Sequence, residues 1–255
     1  MRFREAVLED FPLLVELTER EGWNYTEADF VNLKNTGCAH TLVAEDVGGI
    51  LGMITVIDYD NMGWISNVLV KRSKRGSGIG KRLLAEGIGI LGRKETVSLF
   101  AYERSKKFYQ SEGFRLDRAL HFVRYKGYMS GAATRRGSYD FLRFQKECFG
   151  YNCPKILNML ASIGTVLSPV EGEGFAIVRA DPKEPCVGPV VADDPVAGKS
   201  LLYAAFNQIG AGCRAVLPRM VEGTDEVERV SRLYLGERPI LDEGRVFAFS
   251  GLELG

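Results

Sequence analysis

Val68-Leu69-Val70-Lys71-Arg72-Ser73-Lys74-Arg75-Gly76-Ser77-Gly78-Ile79-Gly80-Lys81-Arg82-Leu83-Leu84 decides the reading of this chain. An apolar run from Ile65 to Val70 leads into it as a strand. A basic loop with Gly76, Gly78 and Gly80 follows, then an amphipathic helix starting near Gly78. In that helix Ile79, Leu83, Leu84, Ile88 and Leu91 recur at helical spacing, and Lys81, Arg82 and Glu86 point outward. A strand, a glycine loop and a helix N terminus together make an anion site. Glycines let the backbone come close to a phosphate, and the first-turn N–H groups and the helix dipole favour its charge. Lys71, Arg72, Lys74, Arg75, Lys81 and Arg82 could be a solvated charge run. Their place on the glycine loop favours a clamp for a multiply phosphorylated ligand.

Two common phosphate loops do not fit. A dinucleotide fingerprint counted from Gly76 needs its third glycine where Lys81 stands. The chain's Gly198-Lys199-Ser200 would complete a Walker loop only with glycine at position 193, which is Asp. There Pro195 also removes an amide, and Asp193 and Asp194 oppose a phosphate. The pattern [R/Q]-x-x-G-x-[G/A] after a strand is met by Arg75-Gly76-Ser77-Gly78-Ile79-Gly80. In this the chain resembles the GNAT superfamily of N-acetyltransferases. A second signature supports the resemblance. Family members often read N-x-x-A-x-x-F-Y-x-x-x-G-F, and here Tyr102-x-x-Ser105-x-x-Phe108-Tyr109-x-x-x-Gly113-Phe114 keeps the Phe-Tyr and Gly-Phe pairs. Tyr102 and Ser105 replace the family's Asn and Ala.

The element pattern agrees with this over residues 1–127. A strand Met1–Ala6 precedes a helix capped by Asp10 and stopped by Gly22. The loop Trp23-Asn24-Tyr25 follows, then a helix capped by Thr26. Strands His40–Glu45, Ile50–Tyr59 and Trp64–Val70 lead to the glycine loop and its helix, which ends at Gly92. Strand Thr96–Ala101, a short helix capped by Ser105 and strand His121–Lys126 complete the set. Residues 128–138 look like a linker. Beyond it, Tyr139–Ala161 is helical with a break at Pro154. Strands are expected at Phe175–Arg179, Val187–Ala192, Arg214–Leu217 and Arg245–Phe249, and helices at Lys199–Gln208 and Asp225–Leu235.

The second half echoes the first. Asn67-Val-Leu-Val-Lys lies on Gly188-Pro-Val-Val-Ala, and Lys81-Arg-Leu-Leu on Lys199-Ser-Leu-Leu, with an acidic Asp193-Asp194-Pro195 between the anchors of the second copy. Residues 139–255 are thus expected to be a degenerate GNAT-like domain, similar to a bacterial and archaeal subgroup carrying a Gly-Pro-x-x-Ala strand. An unrelated α/β domain is the alternative. The fold class expected is α/β (α+β): a mixed, mostly antiparallel central sheet flanked by helices, with a second GNAT-like domain.

Composition sets the outer limits. The chain has 255 residues, one large or two small domains. Lys+Arg and Asp+Glu balance at 33 each, which argues against a nucleic-acid binder. No apolar run is long enough for a bilayer, and Met1–Glu5 carries no apolar signal region, so no membrane partner and a cytoplasmic setting are expected. Cys38, Cys148, Cys153, Cys186 and Cys213 are odd in number and form no C-x-x-C pair, so neither a disulfide framework nor a metal site is expected.

The resemblance implies acetyl-CoA as cofactor. It implies pyrophosphate binding at Arg75, Gly76, Ser77, Gly78, Ile79, Gly80 and Lys81, and pantetheine pairing along the Val68, Leu69 and Val70 backbone. It places Tyr109 where the family has its thiolate acid, although a core tyrosine is the alternative. Trp23, Asn24 and Tyr25 stand where the family builds the acceptor pocket, or else staple two helices together. Trp64 occupies the usual position of a strand carboxylate, so the base stays open between Asp58, Glu103, an ordered water and a neutral amine; His40 reads as structural. The expected function is acetyl-CoA-dependent N-acetyl transfer to a primary amine of a small molecule or peptide, with a homodimer left open. The alternative is a non-catalytic acyl-CoA-binding regulatory or sensing protein.

Overall fold

The computed structural model describes residues 1–131, 133–136 and 141–255, without the side chains of 141, 142 and 145. The chain divides into two compact units, Met1–Ser98 and Leu99–Gly255.

In the first unit β1 (Arg2–Glu5) precedes α1 (Phe11–Glu19) and α2 (Glu27–Asn35). The strands β2 (Ala39–Asp46), β3 (Gly49–Tyr59) and β4 (Met62–Val70) follow, then α3 (Ile79–Leu91). β1 to β4 pair in chain order, each antiparallel to the next. Local chemistry sets the turns. Asp46 Oδ1 accepts the Gly48 N–H at 2.8 Å, and Asp58 Oδ1 accepts the Asp60 N–H at 2.9 Å. Thr26 caps α2 as expected, its N–H donating to Asp29 at 2.7 Å. Asp10 does not cap α1: its carboxylate accepts the Val7 N–H at 2.9 Å and so closes the preceding 3-10 turn instead. The apolar face of α3 lies on β3, and Gly87 permits the approach, since a Cβ there would stand 2.8 Å from Val56.

Arg4 ties this unit together, bonding Asp10 at 2.6 Å and Glu45 at 2.7 Å. The Arg4 guanidinium holds both carboxyls below their ordinary range. A carboxylate whose folded pKa is depressed stabilises the fold above its unfolded value and loses that contribution as pH falls through the folded one. Arg4→Gln is therefore expected to lower Tm at pH 7. The difference from the unaltered chain should shrink as pH falls below about 4, measured by thermal melts across pH.

β5 (Thr96–Tyr102) runs from the first unit into the second. There follow α4 (Glu103–Ser111), β6 (Arg115–Tyr125), β7 (Thr134–Arg136), α5 (Phe141–Phe149), α6 (Pro154–Ile163), β8 (Thr165–Pro169) and β9 (Gly174–Arg179). The remainder is β10 (Cys186–Ala192), α7 (Pro195–Ile209), β11 (Arg214–Leu217), β12 (Thr224–Gly236) and β13 (Val246–Ala248). The strand order is β5-β12-β6-β11-β10-β9-β8-β7, with β13 beside β10. β6, which closes the first sequence repeat, lies between β12 and β11 of the second. β12, the last long strand of the second repeat, lies between β5 and β6. Each repeat is completed by a strand from the other.

Several expectations are corrected here. Asp225–Leu235 is not a helix but most of β12, paired antiparallel with β6 from Thr224 opposite Tyr125 to Tyr234 opposite Arg115. Its Asp, Glu and Arg residues suit a helix locally, but β6 offers a long strand edge, and cross-strand pairing outweighs propensity. The strand expected from His121 begins at Arg115, and the helix expected from Ser105 begins at Glu103 with Tyr102 as its cap. β8, short and ending in proline, was not anticipated. Part of the expected linker is β7, paired with β8; 132, 137 and 138 lie outside the described residues, as do 139 and 140 of the expected helix. The break at Pro154 is where α6 begins, with proline in its first turn.

Asp117 of β6 anchors the exchange. Its buried carboxylate bonds Arg118 at 2.7 Å, Arg232 of β12 at 2.6 Å and Arg238 at 2.7 Å. Burial alone would raise the Asp117 pKa, yet the arginines hold it below its ordinary range. Tyr125 stacks on Phe206 of α7 at 4.7 Å, and its hydroxyl donates to Asn207 at 2.6 Å.

Candidate active site

In the first unit the loop between β4 and α3 has the form an anion needs. Gly76 and Gly78 have φ of 77° and 83°, a left-handed backbone that glycine adopts freely. A Cβ on either would meet nothing within 4 Å, so the cradle is open and it is conformation, not crowding, that calls for glycine. Gly78 is the N-cap of α3. The helix ladder begins at Arg82 N–H to Gly78 C=O, 3.0 Å, so the Ile79 and Gly80 amides precede its first rung. Ile79 is buried and presents only its backbone to the loop, while Ser77 Oγ donates to Lys74 C=O at 2.6 Å and shapes the turn.

Arg75 is folded back, its Nε donating to Val70 C=O at 3.1 Å and its guanidinium pairing with Glu21 at 2.7 Å. Arg72 pairs with the same Glu21 at 2.9 Å and donates to Arg20 C=O at 3.0 Å. Burial works against the Glu21 carboxylate, but the two guanidiniums hold its pKa below the ordinary range. Glu21 was not singled out from sequence. It brings the basic loop beside the end of α1, next to Trp23, Asn24 and Tyr25.

β4 departs from a regular ladder where the expected pantetheine stretch begins. Met53 faces Leu69 while Thr55 faces Ser66, so Asn67 and Val68 together oppose Ile54. Asn67 has φ of 52°. Tyr25 Oη donates to Asn67 Oδ1 at 2.7 Å, and Tyr25 stacks on Phe30 at 5.5 Å. Trp23 and Tyr25 pack on the core of α1, β3 and β4, so the loop both staples and lines this region. The signal for Asn67 was a lone amide within an apolar strand.

Of the carboxylates considered as base, Asp58 is held by Lys94 at 2.7 Å in the β3–β4 turn, opposite Gly63. It is therefore about 13 Å along the strand from Asn67. Glu103, in the second unit, bonds Lys106 at 2.9 Å and Ser231 at 3.0 Å, and the Lys106 bond first of all lowers its pKa, which makes it a weaker base. His40 pairs with Glu5 at 3.1 Å across the β1–β2 edge.

Tyr109 lies on α4 in the second unit, 8% exposed, edge-on to Phe108 at 5.0 Å and Phe114 at 6.0 Å. Burial raises its pKa, so the hydroxyl keeps its proton at neutral pH. Tyr109, rather than the half-buried Phe108, is the deeper anchor of α4. Burial likewise raises Tyr102 to about 12.

The second repeat fills its own counterpart of the cradle. The residues laid together from sequence, Asn67 and Gly188, both have positive φ at a register shift of their strands. At the start of α7, however, Asp194 caps the helix, accepting the Val196 N–H at 2.9 Å. Asp193 pairs with Arg245 and, at 3.4 Å, with Arg143. β10 and β11 pair at Cys186 and Arg214; further along, β13 runs antiparallel to β10, and Phe249 N–H donates to Val216 C=O of β11 at 2.9 Å. Residues 246–249 thus lie between the two strands. Gly188 has no room for a side chain, since a Cβ would stand 1.8 Å from Phe249 O.

Among the described residues no cluster of His, Cys, Asp and Glu could hold a metal ion, and no helix is long and apolar enough to cross a membrane.

Residues 37–116 match the family model of the acetyltransferase (GNAT) domain. No curated protein matches the sequence. Among solved structures, a Pyrococcus horikoshii protein to which acetyltransferase activity is ascribed is similar at TM-score 0.84 and 18% identity, covering 100% of this chain and 95% of that one. A tandem GNAT protein from the clavulanic acid biosynthesis pathway is similar at TM-score 0.66 and 11% identity, covering 92% of this chain and 98% of its own. A GCN5-related N-acetyltransferase from Kribbella flavida is similar at 0.56 and 14%, covering 91% and 71%. At these identities the likeness is one of fold, and it includes the doubled domain. The glycine cradle, open to an anion, lies inside the segment that matches the acetyltransferase (GNAT) domain, in a chain folded as tandem GNAT proteins are.

Proposed function

We propose that the chain transfers the acetyl group of acetyl-CoA to a primary amine of a small molecule or peptide. The observation that carries this reading is the adjacency, in one unit, of the open glycine cradle, the bulged β4 and the aromatic loop 23–25. Arg75, Gly76, Ser77, Gly78, Ile79, Gly80 and Lys81 hold the pyrophosphate, and Arg75 exchanges Glu21 for it. Val68, Leu69 and Val70 offer their backbone to the pantetheine arm. Trp23, Asn24 and Tyr25 wall the acceptor, with ring faces suited to a cationic amine. With Asp58 and Glu103 committed to ion pairs, the amine loses its proton through water or arrives neutral.

The test is steady-state release of free CoA from acetyl-CoA across a panel of primary amines and amine-terminal peptides. Amine-dependent turnover supports the reading. Tight acetyl-CoA binding with no turnover on any amine favours the sensing alternative, for which the commitment of both candidate carboxylates is the supporting observation.

Tyr109 is the proton donor to the departing thiolate. Tyr109→Phe keeps the ring packing and removes the proton, so kcat is expected to fall about 100-fold with acetyl-CoA affinity unchanged. An unaltered kcat would return Tyr109 to a purely packing role.

A further inference from the structure

Asn67 is an unusual residue for its place. It sits in the middle of β4, is 8% exposed, and has φ of 52° at the point where the strand carries one residue more than its neighbour. Left-handed backbone is costly for most residues, asparagine bears it better, and strained positions of this kind persist where the surroundings hold them. What holds Asn67 is polar. Its Oδ1 accepts the Tyr25 hydroxyl at 2.7 Å, and its Nδ2 faces Thr55 Oγ1 at 3.4 Å. Thr55 is in turn bonded to Thr41 across β2–β3 at 2.9 Å. A buried polar line therefore runs from the sheet interior through the bulge to the loop that carries Trp23.

Two polar atoms beside this line are buried without a partner: Trp23 Nε1, two residues from Tyr25, and Ser66 Oγ, adjacent to Asn67. Buried donors are rarely left unsatisfied, each such group calls for an explanation, and a ligand beside the bulge would supply one. Packing alone does not account for the arrangement, since a valine or isoleucine would pair in a regular β4 at no polar cost.

We infer that Asn67 is a positioning residue: through the Tyr25 hydroxyl it couples the bulge of β4, where the acyl end of the cofactor is read, to the loop 23–25 that receives the acceptor. This rests on the proposed function. Occupancy at the bulge holds Asn67 on the Tyr25 hydroxyl more firmly and so steadies the loop. Trp23 Nε1 and Ser66 Oγ then serve an acceptor that carries a hydrogen-bond-accepting oxygen as well as its amine.

The test needs no knowledge of the acceptor, because acetyl-CoA itself is the probe. Hydrogen exchange is followed in the full chain over residues 23–30, with and without saturating acetyl-CoA. In the unaltered chain acetyl-CoA is expected to slow exchange there about tenfold. Asn67→Gly keeps the left-handed backbone without strain and removes only the side chain. It should abolish that protection while leaving the acetyl-CoA Kd within about threefold. Tyr25→Phe, which folds with the same ring, should do the same, and the double variant should add nothing to either single one. A merely structural Asn67 would speed exchange equally with and without ligand. Full protection in Asn67→Gly, or acetyl-CoA binding to the unaltered chain with no response at 23–30, overturns this inference and leaves the proposed function standing. Failure of the unaltered chain to bind acetyl-CoA overturns both.

Discussion

Gly78→Asp is expected to abolish acetyl-CoA binding, and with it every CoA site on the chain. Gly78 is the N-cap of α3 at φ 83°, open to solvent on the side where a Cβ would project. The new carboxylate would stand at the mouth of the cradle against the pyrophosphate. Two like charges about 4 Å apart at a protein surface repel by about 4 kcal/mol, roughly a thousandfold in Kd. Gly78→Asn separates the causes, since it carries the same backbone strain without the charge and should lose far less. Calorimetric titration should give one site in the unaltered chain and none in Gly78→Asp. The second repeat is expected to contribute no site, for two reasons. Asp193 and Asp194 stand at the start of α7, where a phosphate would have to sit. Residues 246–249 already bond both β10 and β11, where a pantetheine arm would have to enter. A second site surviving Gly78→Asp would show residues 139–255 to be a working cofactor domain.

A chain ending at residue 127 should fail to fold, although it contains every strand and helix of the first sequence repeat. β6 would lose β12 along one edge and β11 along the other. Leu120, Val123 and Tyr125, all buried, would face water, and Tyr125 would lose Phe206 and Asn207. Asp117 would keep Arg118 and lose Arg232 and Arg238, and breaking such a buried ion cluster costs about 3–5 kcal/mol by itself. That is a large share of the stability of any domain. Two exposed edges would also invite aggregation. The expected result is no cooperative thermal transition and no soluble acetyl-CoA binding. Cooperative melting of this fragment with full-length affinity would show that the exchanged strands are dispensable.

Much of the site was legible because it is local. Three glycines, a strand before them and a helix after them lie within one short segment, and the backbone conformation they need is written in their identity. The cap at Thr26, the turn at Asp46 and the stop at Gly92 depend on neighbours a few residues away and read correctly for the same reason. The correspondence of Asn67 with Gly188 was also visible from sequence, as an alignment; that both are positive-φ bulges was not. The residues that escaped were those whose role depends on a distant partner. Glu21 is an ordinary helix-end acid until Arg72 and Arg75 meet it, and Asn67 an odd strand residue until Tyr25 does. Asp225–Leu235 carries a helical composition and became a strand because β6 stood unpaired beside it.

By itself the sequence determined the glycine loop and the helix start after it, the order of elements through the first repeat and the existence of a second, acidified copy, since each rests on backbone preferences and short-range periodicity. Only the tertiary structure decided that the two repeats exchange their sixth strands and that residues 246–249 close the second slot. Hydrogen-bonded strand edges and buried charge are satisfied by whichever partner the fold brings near, and sequence separation does not enter that choice.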